Sequence, residues 1–396
     1  MHRRTFQSLV LGASFSLIGR TDASDGAEKT RPAGKLLSSS PTPTRLKGAS
    51  AWKVRYVSKD ANDASHEVTG LVIAPSTQAA DRPILTWCHG TTGLGDVACP
   101  SAQPDPAREL TVYFSPGATQ QIDYGIPGVQ GFIDRGYVVC ATDYQGLGNS
   151  EVHQYSVGRT NARDALFLAH AARELDVGTG TRLLAYGWSQ GGGAAAALAE
   201  LEDADFGNLD LRGSVILSPG VTSVALENPT GAMAAALVNP KLAPDSHLLM
   251  MLWGYAAAFP ELNPADVFTP LGLQLMEQSW KVQPVHHLND VIARTFRLQG
   301  AILRSPPRNL NSWKSAIAKS SAGLVKPRCP LLMCVDSFGN GTVIPVAWQE
   351  DYAKVMQGLG AKIETQKFPN DDHFSLPFSV RDVVADWMDS ALARRT

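Results

Sequence analysis

The stretch that decides the fold reads Arg182-Leu183-Leu184-Ala185-Tyr186-Gly187-Trp188-Ser189-Gln190-Gly191-Gly192-Gly193-Ala194-Ala195-Ala196-Ala197. Arg182 to Tyr186 is a mostly apolar run of strand length. Gly191 to Ala197 contains only small residues, which suits a helix packed closely on a sheet. Between them, Gly187-Trp188-Ser189-Gln190-Gly191 is a G-x-S-x-G pattern that puts a serine at a sharp strand-to-helix turn. Such a turn strains the serine backbone and crowds its neighbours. Glycines two residues to either side let strand and helix pass close together, and the serine Oγ is pushed outward. The pentapeptide alone is a weak signal; a buried strand before it and a small-residue helix after it make Ser189 a candidate nucleophile.

Working outward, similar apolar runs recur. Pro83 to Cys88 ends in His89-Gly90, and Tyr137 to Thr142 ends in Asp143. Gly213 to Leu217 runs into Ser218-Pro219, Pro330 to Val335 ends in Asp336, and Lys362 to Lys367 precedes Phe368-Pro369. Strands apolar on both faces, separated by helical stretches, predict a mostly parallel sheet covered on both sides. The helical stretches include Asn161 to Glu174, Gly191 to Glu202, Val346 to Leu359 and Val380 to Arg394. Earlier, Ala51 to Ser58 alternates in polarity and Glu67 to Ala74 follows a polar turn, predicting an N-terminal antiparallel hairpin. Hairpin plus about six parallel strands is the layout of the α/β-hydrolase fold, here spanning residues 48–396. Residues 24–47, rich in Ser, Pro, Thr and Gly, read as a linker or arm. The interval 220–328 is too long for a simple crossover and reads as a helical cap inserted after the strand that follows the nucleophile. Its apolar segments Gly231 to Val238 and Ser246 to Phe259 suit either core packing or a roof over an acyl group.

A serine nucleophile needs a general base, and the base needs an orienting carboxylate. In this layout the chain order is serine, acid, histidine. His373 lies after the last strand and before the final helix, where that base belongs. Asp336, at the end of the strand Leu331 to Val335, is the candidate acid. In many hydrolases the acid stands about four residues before a proline in this turn, a slot that Gly341 occupies here. Asp371 and Asp372 are too close to His373 in sequence to be comfortable partners and suit a helix cap or a solvated face. For the oxyanion, the amide of Gln190 is the expected first donor. The second comes from the loop at Gly90 or the loop at Asp143, and the residues alone leave that choice open.

The 396 residues carry a formal charge of −2, with 44% hydrophobic and 18% charged residues. This describes a globular chain with a sizeable core and no field that would gather nucleic acid. Met1 to Phe6 is basic, Ser8 to Gly19 is apolar but too short to span a bilayer (~20 residues), and small residues follow. Residues 1–23 therefore read as a signal peptide, with Arg3-Arg4 pointing to twin-arginine export. Cys88, Cys140 and Cys334 fall in strands as buried thiols, whereas Cys99 and Cys329 fall in loops and are the disulfide candidates.

The combination of Trp87-Cys88-His89-Gly90-Thr91-Thr92-Gly93, Cys99-Pro100-Ser101, Asp143-Tyr144-Gln145-Gly146-Leu147-Gly148 and Gly187-Trp188-Ser189-Gln190-Gly191-Gly192 resembles the secretory lipase family, a lipase-A-like branch of the α/β-hydrolases. The resemblance implies an exported carboxylic-ester hydrolase, lipase or esterase, that acts on ester or lipid substrates, meets lipid interfaces and needs no metal or organic cofactor. It also implies Asp143 as the second oxyanion donor. A serine peptidase or acyltransferase on the same fold, or a non-catalytic binding protein, are the competing readings.

Overall fold

A computed structural model describes residues 31–116, 118, 120–227, 239–341 and 343–394. The signal peptide expected over 1–23 and the apolar segment at 231–238 lie outside these residues. The backbone forms a nine-stranded sheet in the order β1-β2-β3-β5-β4-β6-β7-β8-β9. Strands β2 (Ala49–Lys59) and β3 (Ser65–Pro75) are the expected antiparallel hairpin, paired from Ala49↔Pro75 to Lys59↔Ser65. β3 runs antiparallel to β5 (Val138–Thr142). From there β5, β4 (Arg82–Cys88), β6 (Thr179–Trp188), β7 (Asp210–Leu217), β8 (Leu331–Asp336) and β9 (Ile363–Phe368) pair in parallel.

The stretch read as linker or arm is corrected in part. Leu36–Thr42 forms β1, antiparallel to β2 from Leu36↔Tyr56 to Thr42↔Ala51. Its Ser- and Pro-rich composition concealed it, but an edge strand tolerates a proline because one of its sides needs no ladder donor. Here the partner strand supplies the order that local propensity lacks.

Period-two alternation in the central strands feeds two separate cores, one on each face. Ile84 and Cys88 of β4 and Leu183 and Ala185 of β6 pack with the helices Gly158–Ala172 and Gln190–Leu198. Leu85, Trp87, Leu184 and Tyr186 pack instead with Trp387 and Met388 of the C-terminal helix Arg381–Ala393. Between β7 and β8 lie the cap helices Thr222–Glu227, Ser246–Ala258, Pro270–Ser279, Val285–Gln299 and Leu310–Ser320. The cap packs around a third apolar cluster, including Leu248, Trp253, Phe268, Met276, Ile292 and Trp313, which Leu94, Tyr155 and Val157 join from outside the insertion. Most of the Leu248–Trp253 run is therefore cap core.

All five cysteines are buried free thiols, which corrects the disulfide expectation for Cys99 and Cys329. Cys99 Sγ sits 3.7 Å from Ser101 Oγ, and Cys329 is packed within the larger sheet core. Burial raises every thiol well above its usual range, Cys88 and Cys334 to about 12, so none is a ready nucleophile.

Candidate active site

Ser189 stands between β6 and the helix Gln190–Leu198 with φ +59° and ψ −120°, a strained conformation for a residue with a side chain. Its amide donates to Leu217 O (3.0 Å), and its carbonyl accepts from Gly220 N (2.8 Å) and Gly193 N (3.2 Å). The flanking glycines are steric necessities. A Cβ on Gly187 would fall 1.9 Å from Gly191 O, and one on Gly191 would fall 1.9 Å from Cys88 O. Strand, helix and the neighbouring β4 terminus thus meet closer than any side chain permits. Ser189 is only 5% exposed, yet it lines a cavity of about 570 Å³ together with Gln190, His373 and Thr91.

His373 follows β9 and is buried, its ring 5.2 Å from that of Trp188, whose Nε1–H donates to the His373 carbonyl (3.0 Å). Burial, aided by nearby His247, pushes its pKa down to about 3. The imidazole is thus neutral across ordinary pH, as a base must be. Asp336 is fully buried at the end of β8; its Oδ1 accepts from Gln349 Nε2 (2.9 Å), and its Oδ2 lies 4.0 Å from His373 Nδ1. Nearer to Nδ1 is a residue the sequence reading missed. Ser218 Oγ is hydrogen-bonded to it at 2.9 Å. The available signal was a serine closing an apolar strand before a proline, which also reads as an ordinary strand end. Asp371 and Asp372 behave as caps: Asp371 accepts from the Ser375 and Ser379 hydroxyls, Asp372 from the Phe374 and Ser375 amides.

Gln190 opens its helix, and amides of the first turn have no intrahelical acceptor. Its side-chain amide donates to His153 Nε2 (2.8 Å) and Asn161 Oδ1 (3.2 Å) behind the nucleophile. The expectation for Asp143 is corrected. Its amide donates to Thr69 O (2.9 Å), and its carboxylate is taken up by the Thr69 hydroxyl (2.7 Å) and the Ser101 amide (2.8 Å). The donor is spent in the sheet, and the carboxylate anchors the loop holding Cys99-Pro100-Ser101. In the other loop, the Gly90 carbonyl accepts from His89 Nδ1 (2.6 Å). The next residue, Thr91, faces the cavity; among the described residues that line it, neither Gly90 nor Asp143 is present.

The cavity has two unlike walls. Val221, Ala225, Ile344 and Trp348 form an apolar wall continuous with the sheet core. Opposite in character is a polar wall with Tyr113, Asp123, His247 and His286. Tyr113 stacks on His286 (4.7 Å, 15°), and Asp123 Oδ2 lies 3.6 Å from His286 Nε2.

A profile of the alpha/beta hydrolase family matches residues 112–387. The chain belongs to that family. Its fold is shared with a G231F mutant of the rice cell wall degrading esterase LipA of Xanthomonas oryzae, at a TM-score of 0.68 and 19% identity, over 91% of this chain and 99% of that one. It is shared too with Candida antarctica lipase A in its closed state, at 0.67 and 16%, over 91% and 82%. A putative hydrolase of Legionella pneumophila scores 0.59 at 15% identity over 88% and 90%. No curated protein matches the chain. The expected lipase-A-like architecture is therefore borne out at the level of fold.

Proposed function

We propose that this alpha/beta hydrolase is an exported carboxylic-ester hydrolase acting through Ser189, His373 and Asp336. The carrying observation is Ser189 itself: a serine held at a strained turn, opening into a cavity that a neutral, buried histidine also lines. Ser189 Oγ attacks the ester carbonyl while its proton passes to His373 Nε2. The oxyanion is stabilised by the Gln190 amide and an amide of the Gly90–Thr91 loop, each worth about 3 kcal/mol. The tetrahedral species collapses, His373 protonates the leaving alcohol, and water releases the acid by the same steps reversed. Asp336, whose Oδ2 lies 4.0 Å from His373 Nδ1, is placed to favour the imidazolium as it forms. The apolar wall suits the acyl chain and the polar wall the alcohol side. Two structural neighbours are an esterase and a lipase, which supports the reading, and the basic, then apolar, leader supports export.

The test is turnover of a p-nitrophenyl ester ladder, acetate to palmitate, by wild type and Ser189→Ala. Wild-type turnover with an inert variant is expected, and the best chain length separates esterase from lipase. Two equally inert proteins would overturn the assignment.

A further inference from the structure

His373 is approached on its Nδ1 side by two groups from adjacent strands. Ser218 follows β7 and Asp336 closes β8, strands that pair through Leu217 and Cys334. Ser218 Oγ is at hydrogen-bond distance from Nδ1, 2.9 Å, whereas Asp336 Oδ2 is at 4.0 Å, beyond a direct hydrogen bond. The carboxylate is also tied down elsewhere, through Oδ1 and Gln349. Ser218 is fully buried, its amide donates to Cys334 O (2.9 Å), and its φ of +41° is a region where glycine would be at ease. A serine held there supplies what glycine lacks, a hydroxyl aimed at the imidazole.

An imidazole that takes a proton at Nε2 must carry its own on Nδ1, and that proton needs an acceptor. We propose that Ser218 is the positioning residue of this site: its Oγ accepts the Nδ1–H of His373 and so fixes the tautomer and the ring plane, while Asp336 acts through charge. The inference rests on His373 being the base. During attack the Ser189 O–H bond breaks, its proton goes to Nε2, the Oγ–C bond forms and the carbonyl electron pair moves to oxygen. The Nδ1 proton stays on His373 throughout, and Ser218 exchanges none. The work usually given to one carboxylate is here divided. Ser218 holds geometry and Asp336 holds charge, so replacing either alone leaves the other contribution in place.

Two measurements test this. In ¹⁵N-histidine-labelled wild type, with His373→Ala used for assignment, Nδ1 of His373 should carry the proton at neutral pH. A proton on Nε2 would make Ser218 the donor and overturn the proposal, whatever the variants do. In kinetics, Ser218→Ala should lower kcat about 10- to 100-fold with KM within about twofold, a part of the ~10²–10⁴-fold that a correctly positioned acid–base group contributes. On a His373→Ala background it should lower kcat no further. Unchanged kcat, or an equal fall in both backgrounds, would overturn it, the latter meaning that Ser218 merely supports the fold. If Ser218→Ala does not fold, the wild-type tautomer decides alone. A wild type inert on every ester would instead sink the hydrolase reading, while the tautomer measurement still judges Ser218.

Discussion

The strand-end half of the cavity and its cap-side half are built on different principles. Ser189, Gln190, Ser218, Asp336 and His373 are each no more than 5% exposed, and they sit on strand ends or at the turns that follow them. They are held by close backbone packing, positive φ at two serines, and hydrogen bonds between adjacent strands. The cap-side half places His247 and Met251 on one helix and His286 on another, both fastened to a separate apolar cluster. Geometry that must be exact to fractions of an ångström is carried by the sheet, and the walls are carried partly by the insertion (His247, His286) and partly by segments outside it (Tyr113, Asp123, Trp348), which can differ without disturbing the sheet. On the proposed reading, the strand-end half decides whether reaction occurs, and the walls decide which ester reacts.

The severest challenge to that division is Ser189→Ala. It should reduce ester turnover at least about 10³-fold with an unchanged circular dichroism spectrum. Turnover retained within tenfold would move the chemistry out of the strand-end half. Next in size is Gly191→Ala, whose methyl would lie 1.9 Å from the Cys88 carbonyl. Urea unfolding should show a loss of about 3 kcal/mol or more, as forced overpacking against backbone does. A loss under about 0.5 kcal/mol would mean that the turn at Ser189 is less tightly built.

Part of the pH dependence of stability follows from two buried histidines, His373 of the strand-end half and His153, which the Gln190 side chain contacts. His373 and His153 are both pushed down to about 3, chiefly by burial. In the unfolded chain they take protons near 6.5. Their contribution is therefore present above about pH 6.5 and is lost as pH falls from there towards 3. Urea midpoints should drop between pH 7 and pH 4, and His153→Gln should flatten that drop. An identical slope in the variant would exclude His153 as a cause.

The walls should give smaller effects, expressed as selectivity. Trp348→Ala enlarges the apolar wall and should lower kcat/KM on short acyl esters several-fold while lengthening the best chain, since a methylene of fit is worth about 1–3 kcal/mol. An unmoved optimum on the ester ladder would place the acyl chain elsewhere. The smallest effect is expected of His286→Ala: KM for esters of polar alcohols rising about threefold with kcat little changed, the pattern of lost uniform binding. A large fall in kcat would instead join the cap to the catalytic half.

Much of this was legible from the linear chain, because the signals are local. Apolar runs ending in His89, Asp143, Ser189, Ser218 and Asp336 announce strands whose C-terminal ends gather chemistry, since burial on both faces demands continuous apolarity. Small residues after Ser189 announce a helix that must lie close to the sheet. β1 was illegible because its order comes from pairing with β2 rather than from its own residues. Cys99 looked like a disulfide partner because loop position in the sequence says nothing about burial.

What only the tertiary structure decided are relations between atoms distant in sequence. Whether the Asp143 amide is free depends on Thr69, on a strand laid antiparallel beside it. Which group reaches His373 Nδ1 depends on the stagger of β7 against β8, which brings Ser218 to 2.9 Å and leaves Asp336 at 4.0 Å. The sequence by itself determined the elements and the residue types available at their ends. The pairing of those ends in space, set by register and by the closeness that glycine permits, determined which of them share a proton.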